Sequence, residues 1–292
     1  MNDIRRGFYT AMGTPLNPDG TVCEQGLRQH IENQIANGAA GLFVMGTMGC
    51  QPAIRGAEYP KVAEIASDAV RGRAALLIGA MDNSVARVRE RIKALHGLEL
   101  SGIVLTTPFF FPCRGALLVN FFTRIADESE FPVFLYDQPG VTNNKITNGD
   151  LARLAAHPNI RGIKTADISH VRYLKENFPD FEVLYSHSDL YAAAAALGVD
   201  KFLEGMFAAT PRNARILSDA FNAGDSKAAV AALQKILKLR DYFITAGINP
   251  CLTACLNLLG IGGSCNLDFE LPVTEGEIAE LKAMLTEMGE LQ

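Results

Sequence analysis

Apolar and polar residues along the chain follow two alternating periods. Short runs of β-branched or otherwise apolar residues occupy positions 8–12, 41–46, 75–80, 102–107, 132–137, 161–165, 182–186 and 201–205. Between them, apolar residues recur every three or four positions, at 24–37, 56–70, 85–96, 117–128 and 150–156, each stretch long enough for two or more helical turns. Strand-length runs separated by amphipathic helices are the signature of βαβ units and a parallel sheet. Eight such runs, each followed by a helix, predict an α/β fold, a (β/α)8 TIM barrel, over residues 1–223. An open doubly wound sheet would carry a glycine-rich phosphate turn after its first strand. Thr14-Pro15-Leu16-Asn17-Pro18-Asp19-Gly20 is no such turn. Helical period then continues through 227–242, 250–259 and 274–288, predicting a C-terminal helical appendage over residues 224–292. Its last helix should start at Thr274 as N-cap, with Glu277 completing a capping box.

Composition narrows the class of function. The chain has 292 residues, 48% hydrophobic and 20% charged, which is too apolar for disorder and sufficient for a large core. Its 27 basic and 32 acidic residues give a net charge of −5. No basic run is long enough to track a phosphate backbone, so nucleic acid is not an expected partner. No apolar stretch approaches bilayer length, and Met1-Asn2-Asp3-Ile4-Arg5-Arg6 lacks the apolar block of a signal peptide. A cytoplasmic protein with no membrane contact is expected. The cysteines, at 23, 50, 113, 251, 255 and 265, are dispersed over a chain that needs no staples, so reduced thiols are expected. Cys251 and Cys255 lie four apart in a helical pattern with no histidine pair nearby, which reads as helix packing rather than a metal site.

Barrel chemistry sits at the C-terminal ends of strands. Strand two ends in Gly46-Thr47-Met48-Gly49-Cys50, strand four in Thr106-Thr107-Pro108-Phe109-Phe110-Phe111-Pro112, strand five in Tyr136-Asp137-Gln138-Pro139-Gly140 and strand six in Gly162-Ile163-Lys164-Thr165. A lysine inside an apolar strand loses hydration, which disfavours its charged form, and a neutral amine attacks carbonyls. The competing reading is a lysine whose stem packs along the strand while its head reaches solvent or pairs with an acid such as Asp167. Tyr136 taken alone reads as a buried aromatic, and Thr47 as turn chemistry. Together, an amine and two hydroxyls converging on a barrel mouth can form an imine and move its protons. His30, His96, His157 and His170 fall on helices or loops away from the strand ends, so a metal-dependent aldolase is not expected.

At these residues the chain resembles the dihydrodipicolinate synthase and N-acetylneuraminate lyase family of Schiff-base aldolases, over essentially its whole length. The family's Gly-Thr/Ser-Thr-Gly-Glu appears as Gly46-Thr47-Met48-Gly49-Cys50. Tyr-Asn-x-Pro appears as Tyr136-Asp137-Gln138-Pro139, and Gly-(Ile/Val)-Lys as Gly162-Ile163-Lys164. The segment from Asn249-Pro250 to Asn257-Leu258-Leu259-Gly260 is similar to a late family helix. The resemblance implies a 2-keto acid, usually pyruvate, bound as an imine on Lys164, with Tyr136 shuttling the proton and Thr47 relaying it. It implies no cofactor, because the protonated imine is the electron sink. The keto-acid carboxylate would rest on backbone amides of the Thr47-Met48 turn, with the carbonyl of Leu203 close by. A cytoplasmic homotetramer built from tight dimers is also implied, and the aromatic run 109–111 would lie at a subunit boundary.

The chain also departs from the family pattern. Met48 stands where a second threonine usually binds the carboxylate, and methionine donates no hydrogen bond. Phe110 replaces a tyrosine that enters the neighbouring subunit's site. Val141 stands where the synthase branch has an arginine for a second carboxylate, which argues against dihydrodipicolinate synthesis. Where the lyase branch reads sugar hydroxyls, this chain offers Ser186, His187, Ser188 and Asp189, and Glu204 replaces a small residue on strand eight. Three readings follow: a Schiff-base lyase or aldolase joining or splitting pyruvate and an aldehyde, which is placed first; an imine-dependent dehydratase or deaminase in which Asp137 or Glu204 is an added acid or base; and a non-catalytic barrel that binds keto acids.

Overall fold

The structure, a computed structural model, describes residues 4–291. The expectation about a leader peptide rests partly on residues 1–3, outside the described residues. In chain order the elements are β1 (Gly7–Ala11), α1 (Glu24–Ala36), β2 (Gly41–Val44), α2 (Tyr59–Val70), β3 (Ala75–Gly79), α3 (Val85–Lys93), β4 (Gly102–Thr106), α4 (Ala116–Ala126) and β5 (Val133–Asp137). They continue as α5 (Pro139–Thr142), α6 (Asn148–Leu154), β6 (Ile160–Thr165), α7 (Ile168–Asn177), β7 (Glu182–Tyr185), α8 (Tyr191–Ala196), β8 (Lys201–Glu204) and α9 (Pro211–Asn222). The chain ends with α10 (Ser226–Ala246), α11 (Ile248–Leu258) and α12 (Glu275–Glu287). Every strand pairs in parallel with the next, and β8 closes on β1, so the sheet is the expected closed eight-stranded barrel.

Two apolar layers follow from strand alternation. Strands β2 to β5 are buried at every position, as parallel strands covered by helices must be. Side chains pointing inward, among them Tyr9, Phe43, Leu77, Val104, Phe134 and Leu203, fill the barrel interior. Their outward neighbours, such as Phe8, Val44, Ile78, Ile103 and Phe202, pack under the helices in one continuous core that also takes in Ile236 and Leu239 of α10 and Leu281 of α12. Gly79 shows how closely strands two and three approach: a Cβ there would come within 1.8 Å of the Met45 carbonyl oxygen.

Element ends differ from the periodicity where backbone geometry intervenes. Strand two stops at Val44 because Met45 turns to a positive φ of 57°, and Cys50 does the same at 49°, so the intervening turn leaves the sheet. Helix α10 runs on to Ala246 and stops at Gly247, whose φ of 105° starts α11 in a new direction. The capping box of Thr274 and Glu277 forms as expected. All six thiols are free, and Cys251 and Cys255 are buried on α11. Among the described residues no helix is long and apolar enough to cross a membrane.

Candidate active site

Strand register places the lysine beside the tyrosine. Tyr136 of β5 pairs with Lys164 of β6. Both lie in phase with the inward Phe134 and are 3% exposed. Lys164 Nζ donates to the Tyr136 hydroxyl at 3.1 Å, and that hydroxyl lies 3.1 Å from Thr47 Oγ1. The phenol oxygen accepts from the amine, and either hydroxyl of the Tyr136–Thr47 pair can donate to the other. One amine and two hydroxyls from three strand ends therefore form a continuous chain. The alternative in which Lys164 pairs with Asp167 is overturned: Asp167 binds Lys145 at 2.9 Å, and Lys164 stays inside the barrel.

Aromatic rings complete the amine's surroundings. Lys164 Nζ lies 4.3 Å from the centroid of the Tyr136 ring and 5.5 Å from that of Phe43. Phe43 meets Tyr136 edge to face at 6.1 Å. The negative ring faces favour a cation, while the apolar walls deprive it of water. Thr106 of β4 pairs directly with Tyr136 and points inward with it, 4% exposed. Its hydroxyl has no hydrogen-bond partner among the described residues.

The turn after β2 supplies the other half of the site. Among the described residues, the backbone amides of Thr47, Met48 and Gly49 bond to no acceptor, although Cys50 N–H donates to the Thr47 carbonyl at 3.1 Å. Consecutive free amides bracketed by left-handed residues form a concavity suited to an anion. The Met48 side chain lies across the mouth against β8, and a Cβ on Gly205 would come within 2.7 Å of it. Leu203 belongs to the interior layer.

The remaining predicted positions occupy other places. Ser186, two residues past the inward Leu184, is on the barrel side and partly exposed. Glu204 follows the inward Leu203 and so turns outward, where Ser188 donates to it at 2.8 Å. Burial raises its carboxyl above the ordinary value, against that bond and the Lys164 charge. Asp189 is gripped by Arg240 of α10, with one contact at 3.2 Å, which holds its carboxyl below the usual range. His187 lies 3.5 Å from the same carboxylate. Phe110 and Val141 are 77% and 54% exposed at the rim. Asp137 points away from the cavity, accepting the Ile146 amide at 3.0 Å, so the acid–base role entertained for it is not supported by its position. The expectation that His170 lies away from the strand ends is also corrected: α7 brings it 3.1 Å from the Thr165 hydroxyl.

Sequence reasoning missed Phe43, Thr106 and Arg240. The first two could have been found by carrying the inward phase of each strand to its end. Arg240 comes from a distant helix and leaves no local signal.

Known proteins share the sequence pattern and the fold. The family model described as "Dihydrodipicolinate synthetase family" matches residues 5–288. A 4-hydroxy-tetrahydrodipicolinate synthase of Acidiphilium cryptum is 29% identical over 287 residues, covering 97% of this chain and 98% of its own. One from Xanthomonas campestris pv. campestris is 33% identical over 269 residues, covering 89% and 87%. Among solved structures, an E. coli K12 prophage protein of the dihydrodipicolinic acid synthase family, in complex with pyruvate, superposes with a TM-score of 0.89 at 24% identity, covering 98% of this chain and 99% of its own. CdNal from Clostridium difficile, in complex with mannosamine, gives 0.88 at 20% identity, with 98% of each chain covered. A family match across nearly the whole chain, on a barrel with these strand-end residues, identifies the protein as a member of the dihydrodipicolinate synthetase family, a family of lyase-type enzymes.

Proposed function

We propose that this protein is a Schiff-base lyase or aldolase that makes or breaks a bond between a 2-keto acid, pyruvate in the simplest case, and an aldehyde. The observation that carries the reading is the buried chain Lys164–Tyr136–Thr47, with both links at 3.1 Å. In the cleavage direction the neutral Lys164 amine adds to the keto carbon, and water leaves with a proton supplied through Tyr136. The iminium then accepts the electron pair of the breaking carbon–carbon bond, while Tyr136 takes the proton from the hydroxyl that becomes the aldehyde and Thr47 relays it outward. The enamine that remains is protonated, and water releases the keto acid from Lys164. The iminium is itself the electron sink, so the scheme calls on no metal or organic cofactor.

The free amides of Thr47, Met48 and Gly49 support a site for the keto-acid carboxylate. Val141 provides no cation for a second carboxylate, and Arg240 is already paired with Asp189 and Asp241. We therefore assign the acceptor as an uncharged, hydroxylated aldehyde, with Ser186 nearest to it, and disfavour dihydrodipicolinate synthesis. The exposed Phe110 and Phe111 support a subunit contact, and a homotetramer is the assembly proposed on the family resemblance.

The test is borohydride reduction with pyruvate, followed by peptide mass spectrometry of wild type and Lys164→Ala. A reduced adduct on Lys164, absent from the variant, is the expected result. No adduct with pyruvate or longer keto acids would overturn the reading. Screening neutral against carboxylated aldehydes for turnover then tests the acceptor assignment.

A further inference from the structure

On the outer side of the strand pair that carries Lys164 and Tyr136 lies a partly buried set of charges that the chemistry above leaves unused. Register pairs Tyr136 with Lys164 and, one step on, Asp137 with Thr165. Alternation sends the first pair into the barrel and the second outward, beneath α7 and the segment after α5. Asp137 and His170 are each 2% exposed in their side chains. Asp137 accepts the Ile146 amide at 3.0 Å and pairs with the Lys145 ammonium. Lys145 also holds Asp167, the N-cap of α7, at 2.9 Å. His170 Nδ1 lies 3.1 Å from Thr165 Oγ1 and 3.6 Å from Asp137, and Nε2 lies 3.8 Å from Asp167. The Thr165 hydroxyl in turn accepts the Asp167 amide at 3.1 Å.

These contacts tie the end of β5 to the end of β6 one residue beyond the reacting pair. A neutral amide at position 137 could accept the Ile146 bond equally well, so that bond does not account for a buried carboxylate. An unpaired buried charge is costly, and here Lys145 compensates it. The charged groups facing the imidazole are Lys145, Asp137 and Asp167, together with the Ile146 carbonyl. Burial disfavours the imidazolium first and the Lys145 charge second, against the two carboxylates.

We propose that Asp137, Lys145 and His170 form a hydrogen-bonded and ion-paired brace that positions the Tyr136 hydroxyl against the Lys164 amine. The proposal rests on the reading of Lys164 as the imine-forming residue. Asp137, Lys145 and His170 are positioning residues, since none touches the cavity. Without Lys145 two carboxylates face His170 with no cation, which shifts its titration upward. Protonation of His170 would then change the pull on the strand ends.

The experiment measures two quantities in wild type, Lys145→Met, Lys145→Arg and Asp137→Asn across about pH 5 to 8, with thermal melts as a fold control. One is the His170 titration by NMR, and the other is the rate of borohydride trapping with pyruvate. In Lys145→Met the His170 titration should move up by about one pH unit or more. Trapping should slow by about tenfold or more on the acid side, because sub-ångström displacements of reacting groups are that costly. The midpoint of that loss should follow the NMR titration, and Lys145→Arg should restore both. Asp137→Asn should slow trapping at every pH without adding an ionisation, which keeps the proposal testable even if Lys145→Met does not fold. An unmoved His170 titration in Lys145→Met overturns the proposal. So does a wild-type trapping profile despite a moved titration, or an unchanged rate in Asp137→Asn. Absence of trapping in the wild type overturns the reading of Lys164 and the positioning role with it, and is distinguished by an NMR titration that still responds to Lys145.

Discussion

Replacing Tyr136 with phenylalanine removes one oxygen and keeps the ring. The edge-to-face contact with Phe43, at 6.1 Å, and the burial of the ring are retained. The oxygen is the centre of the proton chain, 3.1 Å from both Lys164 Nζ and Thr47 Oγ1. A positioned acid–base group contributes about 10²- to 10⁴-fold, or about 3–5 kcal/mol of barrier at 1.36 kcal/mol per decade. The folding cost is smaller. The Lys164 amine loses its hydrogen-bond partner, which costs about 1–3 kcal/mol for a buried donor, while the partly exposed Thr47 can turn to water. A domain of ordinary stability, about 5–15 kcal/mol, stays folded after that loss. Rapid-quench borohydride trapping with pyruvate separates the two effects: the rate should fall by about 10²- to 10⁴-fold, while the adduct at long times approaches one per chain. A rate within about threefold of wild type, in a variant that still melts cooperatively, would refute the assignment of Tyr136 as the proton shuttle, since removing a hydroxyl that carries the proton cannot leave the barrier nearly unchanged.

Other substitutions examine the surroundings of that chain. Met48→Thr returns a hydroxyl to the carboxylate side and should tighten the pyruvate imine equilibrium by about fivefold, the equivalent of one net hydrogen bond of about 1 kcal/mol. Equilibrium trapping against pyruvate concentration reads it, and a weaker equilibrium would count against the free amides as the carboxylate site. Thr106→Val replaces a buried, unpartnered hydroxyl with a methyl of the same shape, so denaturant unfolding should show a neutral or stabilising change, up to about 1 kcal/mol. A loss of stability would mean that the hydroxyl has a partner in solution, such as a bridging water. Glu58→Gln tests a carboxylate that takes the Val22 amide at 3.0 Å and Lys61 at 2.9 Å, contacts that lower its titration below 4.5. Because the folded value is depressed, this stabilisation is full above the unfolded value and is lost as pH falls through the folded one. The variant should be less stable than wild type by about 1–2 kcal/mol at pH 7, and urea midpoints should converge as pH falls through the depressed folded value.

The fold was legible because its signal is local. Each strand-length run and the helix after it can be read from period alone, and β4 and β5 lie within a residue or two of the runs that predict them. Short elements escaped, since α5 is a single turn started by Pro139 with no apolar stripe to mark it. The three residues proposed to react could be picked out for a related reason: barrels put chemistry at strand ends, and a lysine or tyrosine closing an apolar run is conspicuous. Thr106 was not, because its significance depends on the register that sets it beside Tyr136, and register is a property of the closed sheet. His170 was misjudged for the same reason. Its position on a helix is readable, but the packing of α7 against the ends of β5 and β6 is not.

A strand residue pointing inward can touch substrate, and its outward neighbour can act only through the wall. That division sorts the departures from the family pattern. Met48 lies across the cavity itself, so it bears on how the keto acid is held. Asp137 lies one residue beyond Tyr136 and on the opposite face, so it bears on how the tyrosine is held. Glu204 follows Leu203 in the same way and is joined to Ser188 rather than to the cavity. Asp189 is committed to Arg240. Three acidic residues that a linear reading places near the reacting carbon are therefore engaged on the outer side or at the rim. The proton transfers of the proposed reaction fall to the phenol on the inner face, which is within hydrogen-bond reach of the lysine, and to the Thr47 hydroxyl, which is within reach of the phenol.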